Sequence, residues 1–132
     1  MKNKFLTICG IILLFNQCKE KECNKNLILK NLSNQLVVMA LPLYNGNRCG
    51  YDTTEIEANS YHIIVQRYCW ENSYFPDGNY HFFVLDTLNY PKDFGPYDLI
   101  QCDSIYQKFR VLKEYKLTLE DLQKNNFIIN YP

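Results

Sequence analysis

The chain reads as an all-β protein, an antiparallel β-sandwich of about seven strands with one short helix near the C-terminus, and three observations predict it. Eleven tyrosines and eight phenylalanines stand beside only two alanines, a balance that suits pleated, half-buried surfaces better than helices. Short apolar or alternating runs recur along the chain, bounded by glycine, proline, asparagine or aspartate, the arrangement of strands and turns. Helix signals are sparse: a capping box at Thr118-Leu119-Glu120-Asp121 is the clear one. An open barrel is the alternative closure of the same strands.

The first segment stands outside this pattern. Lys2 and Lys4 precede Phe5 to Phe15, an almost wholly apolar run that ends at Cys18 and the charged stretch Lys19-Glu20-Lys21-Glu22. That is the build of a secretory signal peptide, and the run is about half the roughly 20 residues a spanning helix needs. Cys18, directly after the run, resembles the lipobox cysteine of bacterial lipoproteins. The resemblance implies that residues 1–17 are removed and that Cys18 is diacylated as the mature N-terminus. Residues 18–26 then read as a lipidated tether and 27–132 as a single domain, long enough for a real core. Without Lys2 and Lys4 the chain keeps 12 basic against 14 acidic residues with no long block of either sign, which excludes nucleic acid as a partner.

The elements follow in order. Leu27–Leu32 and Gln35–Leu41 are apolar runs separated by Ser33-Asn34, which predicts a hairpin, and Pro42 is expected to end its second strand. Tyr44 to Thr54, YNGNRCGYDTT, has loop chemistry. Glu55–Glu57 is a short strand before a turn at Ala58-Asn59-Ser60. His62 to Tyr68 alternates, with Ile63 and Val65 on one face and His62, Ile64 and Gln66 on the other, a strand with one mostly buried face. Asn72 to Asn79 is a loop with the turn signal Pro76-Asp77-Gly78. Tyr80 to Asp86, YHFFVLD, is apolar on both faces and reads as a central strand. Asn89 to Pro96 breaks it, and Tyr97 to Tyr106 permits a short helix over a sheet edge. Phe109 to Leu117 alternates, placing Phe109, Val111, Tyr115 and Leu117 together. The capping box predicts a helical turn over Leu119–Lys124, and Phe127–Tyr131 is the closing strand.

The C-terminal stretch KEYKLTLEDLQKNNFIINYP, with Trp70-Glu71 and Phe82–Asp86 in mid-chain, resembles a group of small Bacteroidetes-type lipoproteins of unassigned function. The resemblance implies an outer-membrane lipoprotein, periplasmic or surface-exposed, and implies no activity. Asp86-Thr87-Leu88 and Asp103-Ser104-Ile105 likewise resemble the O-glycosylation triplet of exported proteins of that lineage, which makes Thr87 and Ser104 candidate acceptors.

Export makes disulfides the default for the four cysteines that remain, Cys23, Cys49, Cys69 and Cys102. Three connectivities exist. Because Cys49 opens a loop and Cys69 closes the next strand, Cys49–Cys69 is expected, leaving Cys23 with Cys102. No CxxC spacing occurs among these four, and His62 and His81 have no third ligand at metal-site spacing, so neither a metal nor a cofactor is expected. Ser33, Ser60, Ser73 and Ser104 lack a nucleophile elbow. The expectation is therefore a non-catalytic cell-envelope module that binds a protein or glycan partner through its loops. Tyr44, Arg48, Tyr51, Trp70, Tyr74 and Phe75 form the candidate patch, since aromatics and arginine dominate binding hot spots. An inhibitor or immunity-type lipoprotein that blocks an exported enzyme is the alternative.

Overall fold

A computed structural model describes residues 23–73, 77–88, 90–91, 94 and 97–132. The signal run, Cys18, Tyr74 and Phe75 lie outside the described residues. Eight strands form two sheets packed as a sandwich. The smaller sheet has the order β4 (Ser60–Val65), β1 (Asn26–Asn31), β8 (Ile128–Tyr131). The larger has the order β6 (Ile100–Gln101), β3 (Arg48–Ile56), β2 (Val37–Asn45), β5 (Tyr80–Asp86), β7 (Val111–Leu117). Pairing is antiparallel except between β1 and β8, which run parallel.

Strand alternation divides the interior in two. From β2 and β5, Val37, Met39, Leu41, Tyr80, Phe82 and Val84 point at the smaller sheet and meet Leu27, Leu29 and Ile129. The intervening Val38, Ala40, Phe83 and Leu85 point the other way, under a cover that includes Ile105 and Phe109. Tyr80–Asp86 is thus covered on both sides, as its unbroken apolar run predicts. The cover holds a 3-10 turn, Cys102–Ser104, and α1, Ile105–Lys108; of the range 97–106 that permits a helix only 102–106 is helical, over a sheet face, and Ile100–Gln101 is strand.

The expected hairpin of Leu27–Leu32 with Gln35–Leu41 does not form: β1 and β2 lie in different sheets. Asn31 explains the crossing. Its fully buried amide donates to the carbonyls of Gln35 (2.7 Å), Ile56 (2.9 Å) and Glu57 (3.0 Å) and accepts from Ser33 N and Oγ. A buried amide satisfied this fully fixes the chain where it leaves one sheet for the other. Pro42 does not end β2 either. The strand runs on to Asn45, and β5 pairs with it only through Ala40, so Pro42 sits where one side of the ladder is already open. The stretch expected as loop is mostly strand: Gly46, at φ 63, makes a two-residue turn with Asn47, and β3 begins at Arg48. Glycine at the first central position is the requirement of a II′ hairpin turn.

The mostly buried face expected of residues 62–68 is only half-buried, and one face grouping changes. β4 pairs Ile64 with Leu27 and His62 with Leu29, so Ile64 packs on the core while Ile63 and Val65 are 42% and 69% exposed. In β7 a bulge between the partners of Val84 and Leu85 flips the phase. Phe109 and Val111 join the outer cluster while Tyr115 and Leu117 join the inter-sheet one. The C-terminal expectations hold: α2 spans Leu119–Lys124, with Thr118 Oγ1 accepting from Asp121 N (3.1 Å) and Asp121 Oδ2 accepting from Thr118 N (2.9 Å). Phe127 N donates to Leu122 O and Asn126 N to Gln123 O, with Asn126 at φ 53, a Schellman ending that delivers the chain into β8.

The disulfides are Cys23–Cys69 and Cys49–Cys102, which corrects the expected pairing. Cys69 lies beside the chain entry, not beside the β2–β3 hairpin. Trp70 N donates to Asn24 O, and Asn24 N and Nδ2 donate to Glu71. Cys49 pairs with Ile100 across β3 and β6, which brings Cys102 over it. The last residues of the expected tether, 23–26, are accordingly held against the domain.

Candidate functional site

A pocket of about 250 Å³ opens on the outer face of the larger sheet. Its floor follows from alternation: Tyr44 and Pro42 on β2, Tyr51 on β3 and Phe83 on β5 all fall on the outward phase. Tyr51 is buried, its ring edge-on to Phe83 at 6.0 Å and its hydroxyl donating to Cys102 O at 3.3 Å. The 3-10 turn and α1, pinned by Cys49–Cys102, bring Asp103 and Tyr106 to the rim, where the Tyr106 ring meets Phe83 edge-on at 6.1 Å.

One wall is a chain of charged groups. His81 on β5 sets Nε2 3.0 Å from Asp77 Oδ2 and Nδ1 3.1 Å from Glu114 Oε1. Lys116 Nζ lies 2.9 Å from the same Asp77 oxygen, and the Tyr106 hydroxyl donates to Glu114 Oε2. Gly78 at φ 72 and the bond from Asn79 N to Asp77 Oδ1 shape the turn that presents Asp77. Lys116, then His81, hold the Asp77 carboxyl well below the usual carboxylate range. Burial, then the charges of Asp77 and Glu114, push the Tyr44 hydroxyl up. Burial, then the bond and charge of Glu114, push Tyr106 up to about 12.

The ring of His81 is held from both sides. Both ring nitrogens of His81 face carboxylate oxygens, so neither offers a lone pair into the pocket, and a general base requires one. The two carboxylates address opposite sides of the ring, and among the described residues no group of three or more His, Cys, Asp or Glu converges as metal ligands do. The volume lies below the roughly 300–1,000 Å³ of drug-sized ligand sites, so it suits one side chain or one small ring.

The six residues of the expected patch are divided. Tyr44 and Tyr51 line the pocket. Arg48 is exposed beside it and donates to Leu99 O at 2.6 Å. Trp70 is not a surface residue: it is fully buried between the sheets, its Nε1 donating to Lys25 O at 3.2 Å, because the adjacent Cys23–Cys69 bridge folds the chain entry over it. Tyr74 and Phe75 are outside the described residues. Thr87 follows β5 and Ser104 ends the 3-10 turn, both half-buried. Sequence reasoning missed Asp77, His81, Asp103, Tyr106, Glu114 and Lys116. The single local trace was Asp77 and His81 four residues apart across a turn; the rest arrives from α1 and β7. Compared with known proteins, the chain matches no family model, no curated protein and no solved structure.

Proposed function

We propose that this is a non-catalytic binding module of the cell envelope, carried on the outer membrane by a lipid at Cys18, whose pocket receives a cationic side chain of a protein partner. The observation that carries the reading is the convergence of Asp77, Asp103 and Glu114 on the tyrosine-lined pocket. An ammonium or guanidinium group gains there from carboxylates and from ring faces together. Export is supported by two disulfides, which persist in oxidising compartments. An inhibitor that plugs an enzyme cleft works by projecting a segment, and the site here is concave.

The test is an amide chemical-shift titration of the oxidised domain with blocked lysine, blocked arginine and neutral amino-sugar oligomers. The cations are expected to shift Tyr44, His81, Tyr106 and Glu114, and Glu114→Gln to remove the response. Shifts produced by the neutral sugars alone move the assignment to glycan. Turnover of an envelope polymer by the pure domain, lost in His81→Gln, overturns the non-catalytic reading.

A further inference from the structure

The sandwich is open on the side between β3 and β4. β6 pairs with β3 only at Arg48 and Cys49, and β4 is the edge of the smaller sheet. Residues 50–56 and 60–65 therefore each present one backbone edge without a strand partner among the described residues. Between these edges lies a cleft of about 320 Å³, floored by the core residues Leu29, Met39 and Phe82, with Asp52 at one lip and Ile63 at the other. The hydrogen-bond phase of β4 is fixed by Gln66 N, which donates to Lys25 O. Pairs alternate from there along an antiparallel ladder, so the N–H groups of Ser60, His62 and Ile64 face β1 and those of Tyr61, Ile63 and Val65 face outward.

Edge strands are ordinarily protected by lysine, proline, inward charge or a bulge. β4, SYHIIV, has no Lys, Arg, Asp, Glu or Pro, pairs with β1 without a register shift, and exposes Tyr61, Ile63 and Val65. Charge then decides what such an edge accepts. From Cys49 to Val65 there is no Lys or Arg; Glu55 pairs with Val38 of the outer cluster and so faces away from the cleft, while Asp52 lines it and among the described residues is in no ion pair. A second copy added across a two-fold axis would bring its own β4, which has no Lys or Arg, to Asp52. An extended segment bearing lysine or arginine meets it with opposite sign.

We propose that the β3–β4 cleft takes an extended, basic segment of a partner polypeptide as an added strand on β4, its basic side chains entering the cleft to meet Asp52 and the alternate apolar ones lying beside the exposed Tyr61, Ile63 and Val65. Main-chain pairing supplies affinity in such additions, and the pockets for alternate side chains supply specificity. This surface is separate from the tyrosine pocket and does not depend on what the pocket holds.

The test titrates the full-length oxidised chain, by fluorescence anisotropy, with a short peptide alternating valine and lysine and with its glutamate counterpart. The lysine peptide is expected to bind at least about tenfold more tightly, and Asp52→Lys to invert the order. Ile63→Pro removes an outward N–H and no bond to β1, and is expected to abolish binding with the circular dichroism unchanged. Should that variant fail to fold, amide exchange on the wild type decides: the lysine peptide should slow Tyr61, Ile63 and Val65. Equal binding of both peptides, unchanged exchange at those three amides, or a dimer that excludes the peptide overturns the proposal.

Discussion

Removing the Cys49–Cys102 bridge by Cys49→Ala/Cys102→Ala should cost about 4 kcal/mol, on the chain-entropy account in which a cross-link restricts the unfolded ensemble. The bridged residues are 53 apart, and those of Cys23–Cys69 are 46 apart. Loop length alone then separates the two bridges by only about 0.1 kcal/mol, so the matching Cys23→Ala/Cys69→Ala variant should lose nearly as much. Against a typical domain stability of about 5–15 kcal/mol, either loss leaves the fold marginal. Alanine is the right replacement because Cys49 is fully buried and a serine hydroxyl would add an unpaired polar group. Guanidinium unfolding followed by Trp70 fluorescence reads the result, since Trp70 is the single tryptophan and is fully buried. The midpoint should fall by about 1 M for a domain of this size. A loss under about 1 kcal/mol in either variant would refute the entropic account, and a Cys49–Cys69 peptide in the unreduced digest would refute the connectivity itself.

Other consequences are as direct. Asn31→Ala strips a donor from the buried carbonyls it serves and should cost about 3 kcal/mol in the same unfolding assay. Because Asp77 is held low chiefly by Lys116, its contribution is present above the ordinary carboxylate value and is lost as pH falls through the lowered one. Lys116→Met should move the Asp77 midpoint upward in a carboxyl-carbon NMR titration. Tyr51, Tyr106 and Tyr115 are each pushed up to about 12, by burial first. Neutral tyrosine is favoured in the fold, so the stabilisation is complete below the ordinary value of 10.0 and is lost as pH rises through about 12. Ultraviolet titration should show these three ionising last, and Glu114→Gln should bring Tyr106 down.

What was legible in the sequence was what neighbouring residues decide. Thr118 and Asp121 are three apart, so the box they form and the helix behind it need nothing distant. Tyr80–Asp86 declares its burial on both faces by having no polar phase until it ends. The hairpin at residues 27–41 failed because the bond that bends the chain joins Asn31 to Ile56, 25 residues on. The YNGNRCGYDTT stretch reads as loop by composition, yet β2 holds its Arg48–Thr54 part as strand through seven paired positions, and tertiary pairing overrides a weak propensity. One bulge in β7 displaced the side-chain phase of every residue beyond it. The pocket was illegible for the same reason: His81 and Glu114 are 33 residues apart, and no spacing announces that β5 and β7 are neighbours.

Both proposed surfaces sit largely on backbone that folding has already fixed, which bears on the affinity either can reach. Ordering a residue costs about 1–2 kcal/mol of backbone entropy, and a preformed strand leaves that cost to the incoming segment alone. The lips of the cleft are strands joined by a tight turn in which Ser60 N donates to Glu57 O and Asn59 sits at φ 55. Neither cystine lies between Gly50 and Val65. The pocket is different, because Asp103 and Tyr106 come from two short helical turns that bridge no sheet. Ile105 and Phe109 in the outer cluster, the Tyr106 bond to Glu114 and the Cys49–Cys102 bridge hold them over the floor. Loss of that bridge therefore acts on the pocket's rim before it acts on the cleft, and the two surfaces respond to reducing conditions in that order.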